Sequence, residues 1–148
     1  MKPRPLDEAS VQAKLELMAV LLRRLGRFGA IDRADVEDDL DQRLILERIL
    51  TQLVDLAVGI NTQITSAELG TVPTDYRSSF PALADVGAIT HDLARRLAPS
   101  TGMRNVLVHA YLDLDVDRFV SSVPPAREQF AEYVEQVARW LLDRGRAG

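Results

Sequence analysis

Residues 45–60 read ILERILTQLVDLAVGI. Leu46, Ile49, Leu50, Leu53, Ala57 and Ile60 recur at steps of three and four, and Ile64 continues the series, as one buried helix face requires. Ile45, Leu56 and Val58 add apolar surface on another side. A helix apolar over so much of its circumference is either central in a bundle or shared between a core and a subunit interface. The stretch therefore points to an all-α fold organised around one long helix.

Upstream, AIDRADVEDD (residues 30–39) offers a helix start with Asp32 or Asp35 as caps, which predicts a single second helix from there to about Thr65. The five acids between Asp35 and Asp41 suit a solvated first turn, where the helix dipole favours negative charge, better than a metal site. Before them, Val11, Leu15, Met18, Leu22 and Leu25 predict a first helix from about Leu6 to Phe28, stopped by Gly26 and Gly29. Downstream, Gly70, Pro73 and Pro81 break the period in SAELGTVPTDYRSSFP (66–81), leaving a connection with a short helical piece around Tyr76 to Phe80. A third major segment starts near Pro81, and Pro99 and Gly102 divide it into two consecutive helices. The last segment (115–144) has Asp115 as a cap and a stripe of Phe130, Val134, Val137 and Leu141, with a break expected at Pro124 and Pro125. Neither a strand-like alternation nor an internal repeat is present. The expectation is a single domain over residues 1–148, a helical bundle of four to six helices.

With 148 residues, 47% of them hydrophobic, the chain can bury one sizeable core. It has no cysteine and two histidines, so a thiolate metal site is excluded, and neither metal nor cofactor is expected. MKPRPLDEAS lacks the apolar run of a signal peptide, and no window reaches the roughly 18 apolar residues of a membrane span. A cytoplasmic protein without membrane contact is expected. The net charge of −4 argues against a bulk polyanion binder but leaves room for a basic groove holding a short strand of RNA.

GMRNVLVHAYLDLD (102–115) places Arg104, Asn105, His109 and Tyr111 in one apolar segment. At about 100° per residue, Arg104 and Tyr111 project in nearly the same direction, Asn105 and His109 stack as a second pair, and His109 lies roughly 140° from Arg104. If Arg104 and His109 act on one substrate, the arginine wraps around the helix or a second copy of the motif faces the first across an interface. The same residue types also suit a satisfied core cluster, with Asp113, Asp115 or Asp117 pairing the arginine. The alternation of those three aspartates resembles the opening of a calcium loop, but Arg118 stands where glycine is required and Pro124 where the closing glutamate belongs. His91, among charged neighbours at a helix start, is expected on the surface.

RNVLVHAY matches the R-x4-H-x-Y signature of HEPN-domain proteins, and the chain resembles in particular the HepT-like toxins of prokaryotic toxin–antitoxin pairs. ILERILTQLVDLAVGI is similar to the family's long second helix, VPTDYRSSFPALADVGAIT to its connecting segment and HAYLDLDVDRFV to its passage into the final helix, so the resemblance covers most of the chain. Pro124 and Pro125 depart from the continuous last helix of the family's pattern. The resemblance implies a metal-independent endoribonuclease working as a homodimer, with Arg104 and His109 of both subunits lining a cleft and Asn105 in support. An imidazole titrates near neutral pH and suits general acid or base work, and a guanidinium fork matches phosphate oxygens. Tyr111 is implied as the acceptor of AMP units from a partner, a minimal nucleotidyltransferase antitoxin of the MntA kind in a type VII-like system. A rival reading makes the chain a non-catalytic helical partner of that nucleotidyltransferase.

Overall fold

The computed structural model describes residues 5–109 and 112–147, which form six helices: α1 (Glu8–Gly26), α2 (Arg33–Glu37), α3 (Leu40–Leu69), α4 (Tyr76–Val86), α5 (His91–His109) and α6 (Val116–Ala147). No strand occurs among the described residues. α3 is packed against all five other helices. Its stripe of Leu46, Ile49, Leu50, Leu53, Ala57, Ile60 and Ile64 is buried, so the long helix is the centre of the bundle. On its other side Val58 is also core, whereas Ile45 is 46% exposed and, with Leu40 and Leu44, leaves an uncovered apolar surface at the start of α3. No described helix is long and apolar enough to cross a membrane.

The acids upstream of α3 act as caps, and they do so twice. Asp32 and Asp35 form a reciprocal capping box on α2. Asp39 then accepts from the Gln42 amide at 3.0 Å and opens α3 afresh, so the single expected second helix is two. Gly70 and Gly87 close α3 and α4 in the left-handed region, at φ 70° and 94°.

Four prolines sit inside helices where breaks were expected. α4 runs through Pro81 to Val86 instead of ending at Phe80, α5 is undivided at Pro99 and Gly102, and α6 is continuous through Pro124 and Pro125. All four prolines are exposed, so carbonyls deprived of a helix donor are near water rather than in the core. An interior proline costs about 3 kcal/mol. In α6, however, Phe119, Val123, Phe130, Tyr133 and Val137 form one buried stripe spanning the prolines, and each contributes about 1.5–3 kcal/mol by burial. Packing therefore outweighs the local penalty.

A polar chain runs through the core. The Tyr133 hydroxyl, fully buried, donates to Asn61 Oδ1 at 2.6 Å and lies 3.1 Å from the Ala57 carbonyl oxygen. Asn61 Nδ2 donates to Ser79 Oγ at 3.0 Å, and that hydroxyl donates to the Tyr76 carbonyl at 2.7 Å. The chain pins α6 to α3 and α3 to the first turns of α4. Tyr133→Phe leaves Asn61 Oδ1 without its donor and is expected to cost about 1–3 kcal/mol in urea unfolding. Burial also raises the phenol's pKa well above its ordinary value. Above about pH 10 an unfolded tyrosine ionises while the buried one keeps its proton, so stability falls as pH rises, and Tyr133→Phe removes that part of the alkaline loss.

Candidate active site

Arg104 lies three turns into α5, on the side that meets α3. Its Nε donates to Asp55 Oδ1 at 2.9 Å, and its guanidinium carbon stands 5.0 Å from the centroid of the Tyr76 ring. The side chain is 22% exposed. An ion pair on Nε and a ring beneath the plane fix the guanidinium while leaving its Nη groups in position for an anion. One of them, Nη1, lies 3.4 Å from Asn105 Oδ1, so Asn105 is tied to the arginine rather than to His109.

His109 is the last residue of α5 and is exposed, as is Asn105. The angular separation expected on the helix is thus realised. Arg104 turns inward against α3 and α4, and His109 turns to solvent. Tyr111, the fourth member of the motif, lies outside the described residues.

Of the three aspartates that the core-cluster reading offered to Arg104, two do other work. Asp115 Oδ1 accepts from the Arg118 amide at 3.2 Å and caps α6, and Asp117 pairs with Arg33 at 2.8 Å. Asp55 takes their place. It is the sole charged residue between Arg48 and Glu68, a signal that was present in the sequence of the buried helix. Tyr76 begins α4 behind the cap of Asp75, whose carboxyl the Ser78 backbone amide holds below its usual pKa. That cap is fully ionised above the unfolded carboxylate's pKa and is lost as pH falls through the lowered folded value. His91 is exposed, as expected, and pairs with Asp85 at 3.0 Å.

Over residues 18–137 the sequence matches the family described as Ribonuclease HepT-like. The chain belongs to the HepT-like ribonuclease family. Among the relatives of this HepT-like chain, the tRNA nuclease HepT of Aphanizomenon flos-aquae is 32% identical over 138 residues, covering 93% of each chain. The mRNA nuclease HepT of Shewanella oneidensis is 34% identical over 94 residues, 64% of this chain and 68% of that one. The fold is shared with a tri-AMPylated Shewanella oneidensis HEPN toxin solved in complex with MNT antitoxin, with a TM-score of 0.77 at 22% identity over 88% of this chain and 97% of the other. The family resemblance read from RNVLVHAY is borne out, as is the all-α bundle of four to six helices, six of which are described.

In this HepT-like chain Asp55 holds the Arg104 guanidinium in place. Asp55→Ala releases the guanidinium and is expected to lower single-turnover RNA cleavage by about ten- to a hundredfold, the effect of a charge-assisted hydrogen bond of roughly 1.5–3 kcal/mol. Asp55→Asn keeps an oxygen acceptor and recovers most of the rate. Equal losses in both variants would mean that the charge, not the geometry, matters.

Proposed function

We propose that this chain is the RNA-cleaving toxin of a toxin–antitoxin pair, active as a homodimer and silenced by AMP transfer to Tyr111 from a minimal nucleotidyltransferase of the MntA kind. The observation that carries this reading is the presentation of the motif: Arg104 is fixed by Asp55 and Tyr76 on one side of α5, and His109 is exposed at its end. Two such motifs facing each other across a two-fold axis supply two guanidinium groups and two imidazoles to one phosphate. Family membership and the names of the relatives support the reading. The apolar surface of Leu40, Leu44 and Ile45 supports a second subunit.

The chemistry needs only these groups. One His109 takes the proton from a ribose 2′-OH, whose oxygen attacks the adjacent phosphorus. The P–O5′ bond breaks, and the partner copy's imidazole protonates the departing 5′ oxygen, leaving a 2′,3′-cyclic phosphate and a 5′-OH. Arg104 holds the phosphate oxygens as charge builds on them. The test is expression of the chain with and without a cognate nucleotidyltransferase, following growth and RNA integrity. Alone, the wild type arrests growth and cuts RNA, and the partner restores growth. If the unmodified chain does neither, it is a non-catalytic partner and the toxin reading falls.

A further inference from the structure

Between α5 and α6, over Leu50 and Val54 of α3, lies a cavity of about 370 Å³. Leu107 and Phe130 complete an apolar lining, and Pro99 and Pro125 bring an apolar ring from each of the two helices. Three arginines, Arg96, Arg104 and Arg118, line the cavity, and no carboxylate does. Asp92, Glu132 and Asp55 stand behind two of them, so the uncompensated cation is Arg118.

The three cations are not equivalent. Arg96 is held by Asp92 at 2.9 Å and by Glu132 at 3.0 Å. Arg104 donates Nε to Asp55 at 2.9 Å and Nη1 to Asn105 Oδ1 at 3.4 Å. Arg118 is exposed and makes no ion pair among the described residues. The groups open to an anion are therefore Arg118 and Nη2 of Arg104. Polar groups that read a ring edge are also present. Ser121 and Ser122 donate their hydroxyl protons to the carbonyls of Arg118 and Phe119, at 3.1 and 2.6 Å, which leaves the oxygens as acceptors. Gln129 adds an amide, both donor and acceptor.

A flat apolar group with an attached anion fits these walls, and the volume lies within the usual range for a small-molecule site. We propose that the cavity is a nucleotide subsite of the ribonuclease, taking one base of the RNA strand between Pro99 and Pro125 with a backbone phosphate between Arg104 and Arg118. The proposal rests on the ribonuclease reading and deepens it. The base beside the scissile phosphate is held in the same pocket wall that carries Arg104, so the subsite sets which bond is cut.

The test uses His109→Ala protein, which binds without cutting, and a short labelled single-stranded RNA made abasic at one nucleotide at a time. One abasic position is expected to weaken binding about three- to tenfold, the effect of losing one base's apolar contacts with the proline rings. Ser121→Trp, which fills the cavity from an exposed position, abolishes that position dependence. Arg118→Ala weakens every strand and lowers the salt slope by about one phosphate contact. A flat abasic profile, or a dependence unchanged by Ser121→Trp, overturns the subsite while the cleavage activity of wild type stands. A flat profile with Arg118-dependent binding of free AMP assigns the cavity to a nucleotide carried by the protein and also overturns it. Failure of the unmodified wild type to bind or cut any RNA removes the ribonuclease reading, and the subsite with it.

Discussion

Arg104→Ala lowers RNA cleavage by about a hundred- to a thousandfold, the usual cost of removing one preorganised partner of a developing oxyanion, and expression of the variant no longer arrests growth. Arg104→Lys restores only a small part. The arginine donates Nε to Asp55, lies over Tyr76 and still presents its Nη groups, three tasks that a single ammonium cannot perform together. The fold tolerates the loss, because Asp55 is 37% exposed and water replaces the ion pair. Melting temperature and single-turnover rate, measured together, separate the two effects. His109→Ala gives a loss of at least the same order, with unchanged stability, since the ring is exposed at the helix end. Mixing the two variants tests the dimer. A mixed dimer keeps one histidine and one arginine, on different subunits, and measurable recovery over either variant alone shows that the two copies share a site. Wild-type activity in Arg104→Ala would leave the arginine a structural residue, with Asp55 as its ordinary partner.

What the sequence made legible was apolar spacing and capping chemistry. The stripe from Leu46 to Ile64 defines the central helix because burial on that scale leaves a period that no local signal can mask. Asp32 and Asp115 begin helices as read, because a short carboxylate side chain satisfies an amide of the first turn, and Asp39 and Asp75 do the same where no cap was expected. The prolines misled because their cost is local and their compensation is not. Pro124 and Pro125 interrupt α6 only if Phe119, Val123 and Phe130 are ignored, and those residues are buried against other helices. The site was legible in part. Its angular division follows from the helical repeat, whereas the Asp55 partner needed the packing of α5 on α3, which residue spacing within one helix does not encode. Even so, a lone carboxylate in the otherwise uncharged stretch of α3 between Arg48 and Glu68 calls for a cation, and Arg104 is that cation.

Tyr111→Phe abolishes AMP addition outright while leaving RNA cleavage in place, so the variant kills cells that carry the nucleotidyltransferase. Three tyrosines are present in the chain. Tyr133 is fully buried with its hydroxyl donated to Asn61, and Tyr76 is half-buried with its ring beneath Arg104. Tyr111 follows Arg104 by seven residues in the motif. On the proposed role of Tyr111, each attached AMP adds a phosphate anion beside the motif, where it is expected to compete with RNA for the arginine and repel the strand. Intact mass after coexpression reads the event directly. Wild type gains whole AMP units, Tyr111→Phe gains none, and Arg104→Ala is still modified, because the acceptor hydroxyl is separate from the cleavage groups. An unchanged wild-type mass, or modification persisting in Tyr111→Phe, removes the tyrosine from the control step. Modification lost in Arg104→Ala would instead make the arginine part of the surface that the antitoxin reads, and inhibition would then compete with cleavage for one side chain.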